Sequence, residues 1–247
     1  GVPRRMSSRR RAPWPRWYFV RPARNLREFY ARLVHVEASK RAHARVWRDA
    51  SALFNAGRYD DAIDVLVRAK ALSRAPHRLV HVLFHDDVTK AAVGDYLGDA
   101  AHVETFDEFL HAINFTRLPV DVALRTLVDN MLLPAEHDKI DTIVRSFAKA
   151  YFVQNAGDVY ANSDAVYIVC VMVIMLNTSI NASQHDADVG VLSRHEFLDM
   201  GAGANNGADF PPNFLASMYN RVVEASYIEP ADAAAAVAAA ATGGTDG

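Results

Sequence analysis

The run Ala165–Leu176, AVYIVCVMVIML, holds twelve consecutive apolar residues. A helix needs about twenty to cross the hydrocarbon core of a bilayer, so this run by itself predicts a helix buried at the centre of a folded domain. The segments before it supply partners. Leu124, Leu127, Val128 and Met131 recur at i, i+3, i+4 and i+7, and Ile140, Ile143, Val144, Phe147, Ala148 and Tyr151 repeat the same stripe further on. Each pattern predicts an amphipathic helix that buries one face. Strand signals are scarce along the chain, so the fold class expected is all-α.

Between those two stripes lies MLLPAEHDKID, Met131–Asp141. Proline disfavours helical geometry in the residue before it and suits the first turn of a new helix. The first helix is therefore expected to end near Leu133, with Pro134, Ala135 and Glu136 forming the corner between two packed helices. At such a corner Glu136 points into solvent. A carboxylate near a helix start also interacts favourably with the helix dipole, which would explain Glu136 without any further role.

Formal charge is distributed unevenly. Residues 1–48 hold 14 of the 27 Lys and Arg but only two of the 29 acids, Glu28 and Glu37. Arg9, Arg10 and Arg11 interleave with Trp14 and Trp17, a combination suited to anionic lipid headgroups or RNA. After Asn25, a candidate cap, Leu26, Phe29, Tyr30, Leu33 and Val34 share one face and predict a helix that continues through Trp47, Leu53 and Phe54. The end, from Pro230 to Gly247, is almost wholly alanine, glycine, threonine and aspartate, and neither order nor function is expected of it. The single cysteine, Cys170, lies inside the apolar run, can form no intrachain disulfide and points to a reducing compartment.

Three other patterns have plainer readings. His77, His81 and His85 stand at i, i+4 and i+8, but without a distant ligand pair they read as a solvated helix face, and no metal site is expected. Gly201, Gly203 and Gly207 miss the spacing of a dinucleotide loop and follow no strand. Leu53–Leu66 resembles one tetratricopeptide helix pair, and a solenoid needs about three.

A series of short segments runs in order along the chain: LFNAG around Phe54, VGDYLG from Val93 to Gly98, ALR from Ala123 to Arg125, LPAE from Leu133 to Glu136 and KID from Lys139 to Asp141. SDAVYIV around Tyr167, IMLNTS from Ile174 to Ser179 and FPPNFLASMY from Phe210 to Tyr219 follow. Through these collinear segments, from roughly Asp49 to Tyr227, the chain resembles a Sec-7 domain, the catalytic module of guanine-nucleotide exchange factors for Arf-family GTPases. The segment before Leu176 is similar to the large Golgi-type members. This resemblance implies a right-handed helical superhelix of about ten helices. The expected organisation is a basic, aromatic arm over 1–25, a leading helix over 26–48, the exchange domain over 49–229 and a low-complexity tail over 230–247.

The resemblance assigns roles. The family's Pro-Gly-Glu corner carries a "glutamic finger", which maps onto Glu136 as the catalytic residue. Two helices bound a groove for the GTPase switch regions, for which Tyr167, Val171, Met172, Met175, Leu176, Asn177, Thr178 and Asn181 are the candidates. An Arf-family GTPase is the implied partner, with an anionic membrane surface for the arm, in the cytoplasm and peripheral on Golgi or endosomal membranes. No nucleic-acid partner and no cofactor are expected; Mg²⁺ and guanine nucleotide belong to the GTPase. Three departures stand out: Met131, Leu132 and Ala135 replace the family's Phe, Arg and Gly at the corner; Asn181 and Ala182 replace a His-Asn pair; and MGAGAN, Met200–Asn205, lacks an arginine. They leave a second reading, a weakened homologue that only binds a GTPase or a membrane.

Overall fold

A computed structural model describes residues 26–155, 159–186 and 188–224. The arm over 1–25, with Arg9, Arg10, Arg11, Trp14 and Trp17, and the tail over 230–247 lie outside the described residues. The chain divides into two units, Gly1–Arg45 and Val46–Gly247. The first contains the opening turns of helix α1, Leu26–Asn55, and the second contains everything that follows.

Among the described residues there are ten α-helices, one 3-10 turn at Ala100–His102 and no strand beyond an isolated bridge between Asn205 and Ala208. After α1 come α2 (Tyr59–Arg68), α3 (Pro76–Leu83), α4 (Lys90–Gly98), α5 (Val103–Ala112) and α6 (Val120–Val128). Then follow α7 (His137–Gln154), α8 (Ser163–His185), α9 (Arg194–Met200) and α10 (Pro212–Glu224). Local chemistry sets several of these boundaries. Gly57, at φ +76°, supplies the left-handed turn after α1. Thr89 and Asn162 accept from the third amide of α4 and α8, at 3.3 and 2.8 Å. Ser193 and Glu196 form a reciprocal capping box on α9.

Helix α8 is the centre. α7 packs along it, and α6, α9 and α10 also pack against it. It is longer than the apolar run that announced it, because Asn177–His185 continue the helix. By length and composition alone Ser163–Gln184 could cross a membrane, yet 67% of its apolar window is buried. That is the setting of a core helix. On α7, the predicted stripe Ile140, Ile143, Val144, Phe147, Ala148 and Tyr151 is all buried.

One boundary differs from expectation. α6 ends at Val128, not near Leu133. Asn130 turns its side chain back onto the Thr126 carbonyl at 2.8 Å, and the Leu132 N–H donates across to the Lys90 carbonyl on α4 at 3.0 Å. The Asn130 amide tightens the last turn by bonding the Leu127 carbonyl at 2.9 Å, and Leu132, its amide committed to α4, cannot resume the ladder.

Candidate functional site

The corner between α6 and α7 is fastened from beneath. Met131 and Leu133 are buried in the core, and between them Leu132 lies against α4. A Cβ placed on Gly94 would fall 1.7 Å from the Leu132 carbonyl oxygen, so only glycine permits this approach. Above this anchor the chain emerges, and Ala135, Glu136, His137 and Asp138 are exposed. Ala135 is not among the positive-φ residues, which are Lys70, Arg117 and Asn206 among the described non-glycines. The corner therefore needs no glycine at position 135.

Glu136 is the N-cap of α7 with extended backbone, at φ −78° and ψ 128°. Its carboxylate makes no capping hydrogen bond to the helix and its side chain is 61% exposed. At the N-cap it still stands in the favourable field of the α7 dipole, but it satisfies none of the helix's free amides. One cation stands nearby: Lys139 Nζ lies 3.7 Å from Glu136 Oε1. That ammonium donates to Asp95 Oδ1 on α4, and the other Asp95 oxygen accepts from the Tyr59 hydroxyl on α2. Burial alone would raise the Asp95 carboxyl, but the bonds from Lys139 and Tyr59 outweigh it and hold the group below the usual range.

One turn further along α7, Asp141 joins the corner to α8. It accepts from Tyr167 at 2.6 Å and from Arg145 at 2.7 Å, while the Arg145 guanidinium sits 4.3 Å above the Tyr167 ring. Burial pushes the Tyr167 phenol up, and its bond to Asp141 adds to this, to about 12. Burial also raises Asp141, but the two hydrogen bonds prevail and its carboxyl lies below the ordinary range.

From Tyr167 an accessible stripe runs along α8: Ile168 is exposed, and Val171, Met175 and Ser179 are partly so. Spacings of three and four place them on one face. Of the residues expected at the groove, Tyr167, Val171 and Met175 belong to this stripe. Met172, Leu176, Asn177, Thr178 and Asn181 are buried instead. Ile168 is not among those candidates, but its spacing from Val171 and Met175 places it on the same face. Asp95 and Tyr59 were also missed: Asp95 lies in the VGDYLG segment, but nothing local says which distant cation it meets. The Ser179 hydroxyl donates to the Leu176 carbonyl at 2.8 Å and accepts from the Leu192 amide at 3.0 Å, tying α8 to the loop before α9. Asn205, in the divergent glycine-containing loop, bonds Ala161 N at 2.7 Å and Val159 O at 3.0 Å.

The single thiol offers no nucleophile. Cys170 is fully buried, which pushes its pKa up. His85 stacks on Trp47 at 4.7 Å between centroids, and among the described residues no group of three His, Cys, Asp or Glu could hold a metal ion.

The fold and the site define an all-α domain that presents a fastened, exposed acid beside an apolar helix face. Residues 43–227 match the Sec7 domain family, and the chain belongs to that family. It is 34% identical over 153 residues to the ankyrin repeat, PH and SEC7 domain containing protein secG of Dictyostelium discoideum, covering 60% of this chain and 15% of that protein. To the ADP-ribosylation factor guanine nucleotide-exchange factor SEC7 of Saccharomyces cerevisiae it is 33% identical, over 69% of this chain and 8% of the other. Cytohesin-2 of Mus musculus is 32% identical over 69% of this chain and 42% of its own length. The chain thus spans less than half the length of these curated relatives. Among solved structures, the Sec7p catalytic domain aligns with TM-score 0.65 and 31% identity, covering 72% of this chain and 94% of that one. A Sec7 domain solved with ARF1-GDP and brefeldin A aligns with TM-score 0.69 and 25% identity, over 79% and 98%.

Proposed function

We propose that the chain promotes GDP release from an Arf-family GTPase, with Glu136 as the catalytic group. The observation that carries this reading is a carboxylate that makes no capping bond, stands 61% exposed and is borne on a corner bonded to α4. No covalent chemistry is involved. The carboxylate approaches the β-phosphate and Mg²⁺ of the GTPase, repels the phosphate and takes over contacts of the metal and of the phosphate-binding lysine. At about 4 Å and an effective dielectric near 20, one such like-charge contact costs roughly 4 kcal/mol, about a thousandfold in nucleotide affinity. Ile168, Val171 and Met175 offer an apolar strip for the switch regions of the GTPase, and an unbranched methionine suits a surface that repacks around a moving partner. The finer setting is peripheral, on Golgi or endosomal membranes. There Arg9, Arg10, Arg11, Trp14 and Trp17 would meet anionic lipid.

One observation favours the second reading, a weakened homologue that binds a GTPase or a membrane without exchange. In the family the asparagine of the His-Asn pair helps hold the GTPase switch backbone; here Ala182 stands in its place with no polar side chain, and the neighbouring Asn181 is buried. One experiment separates the two readings: release of fluorescent GDP from truncated Arf proteins, with wild type beside Glu136→Lys. The exchange reading expects acceleration that disappears in the variant while binding to nucleotide-free Arf is kept. Folded wild-type protein that accelerates no Arf would leave only the binding reading.

A further inference from the structure

Lys139 is one ammonium between two carboxylates, and the structure divides it unequally. It is in hydrogen-bond contact with Asp95, whereas Glu136 stands at 3.7 Å, beyond an ordinary hydrogen bond. At i and i+3 on the first turn of α7, Glu136 and Lys139 are placed to meet in a hydrogen-bonded ion pair. What holds them at 3.7 Å instead comes from two neighbouring helices. α4 supplies Asp95, and α2 supplies the Tyr59 hydroxyl that occupies the second Asp95 oxygen. The Tyr59 ring is set 4.7 Å from Phe54 and 5.2 Å from Tyr96, both buried, so this hydroxyl is rooted in the core. The lysine stem is confined as well, because a Cβ on Gly98 would lie 2.7 Å from Lys139 Cβ. Its amine is held above the usual lysine range, most of all by the hydrogen bond to Asp95, with Glu136 acting only through charge.

We infer that Asp95 is a positioning residue for the finger: fixed by Tyr59, it holds the Lys139 ammonium out of hydrogen-bond contact with Glu136, so that the lysine offsets the finger's charge only across 3.7 Å and leaves its oxygens free of that donor. This rests on the exchange reading above. An anion hydrogen-bonded by its own lysine would repel a phosphate less and compete less well for Mg²⁺. The division of Lys139 therefore sets how much of the finger's charge reaches the partner. It acts on the release step and leaves the apolar strip on α8 unaltered.

The test is steady-state release of fluorescent GDP from a truncated Arf by wild type, Asp95→Asn, Lys139→Met and the double variant, each checked by circular dichroism. Asp95→Asn frees the ammonium to close on Glu136, and kcat is expected to fall about fivefold with KM unchanged, the upper range for an exposed ion pair. Lys139→Met removes the competing cation, and its kcat is expected to equal or exceed that of wild type. The double variant recovers to the level of Lys139→Met, a rescue that mere loosening of the corner would not give, since it removes a second bridging group. Wild-type kcat in Asp95→Asn, or a double variant as slow as the single one, would overturn the inference. Should Asp95→Asn not fold, Asp95→Ser removes the same carboxylate with a smaller polar side chain. Its fall in kcat must likewise be rescued by Lys139→Met, and absence of rescue overturns the inference. A folded wild type inactive on every Arf overturns the exchange reading itself, and this inference with it.

Discussion

Gly94→Ala puts the fastening of the corner to a quantitative test. The added methyl would sit 1.7 Å from the Leu132 carbonyl oxygen and 2.9 Å from its carbonyl carbon, where contacts under 3.0 Å are essentially never seen. Because the obstacle is backbone, no rotamer change relieves it, and α4 must part from the corner. Parting them stretches the 3.0 Å bond from the Leu132 amide to the Lys90 carbonyl. Overpacking strain and that lost bond together cost about 2–4 kcal/mol. For a domain of this size that lowers Tm by roughly 10 °C. The same displacement carries Glu136 with it, and misplacing a reacting group by about 1 Å costs on the order of 10²-fold in rate. Thermal unfolding and fluorescent GDP release read the two effects on one sample. Gly190→Ala is the control, because nothing lies within 4 Å of a Cβ there. If Gly94→Ala unfolded and exchanged as Gly190→Ala does, the contact between α4 and the corner would not be what holds the finger.

Two further outcomes follow from pairs that join distant helices. Arg221 on α10 donates to both oxygens of Asp121 on α6, at 2.7 and 2.8 Å, and the Asp121 side chain is only 4% exposed. Arg221→Met strands that carboxylate and is expected to cost about 2–3 kcal/mol in urea unfolding, the lower part of the range because water reaches the arginine side; unchanged stability would mean the pair contributes nothing. Tyr167→Phe removes one of the bonds that hold the Asp141 carboxyl below its ordinary range. A carboxylate depressed in the fold contributes stability above its unfolded pKa, about 3.9, and loses it as pH falls through the folded value. The variant is therefore expected to be about 1 kcal/mol less stable than wild type near neutral pH. The ionic part of that gap should close as Asp141 protonates in acid, and a gap constant down to about pH 2 would show that the bond acts without the charge.

Much of this protein was legible as a string of residues. The apolar period marked α7, Pro134 marked the corner, and the run from Ala165 to Leu176 marked the central helix, because helix periodicity and proline geometry are local properties. Exposure of Glu136 followed from the same local logic. The face of α8 that meets solvent did not. A helix apolar on every side has no polar stripe to orient it, so Met172 and Leu176 were indistinguishable from Ile168 and Met175 until α6, α7, α9 and α10 covered one set and left the other. The course of the chain beyond Met131 was likewise decided from outside, by the Lys90 carbonyl that takes the Leu132 amide. The surroundings of the finger depend on meetings no local pattern encodes: Tyr59, Asp95 and Lys139 come from three helices, and Gly94 matters only because Leu132 arrives against it. Sequence by itself determined the helices, the corner and the acid upon it, through forces that act within a few residues. Only the tertiary structure decided which apolar atoms stay in water and which carboxylate keeps the lysine, because burial and charge pairing depend on what the rest of the chain brings alongside.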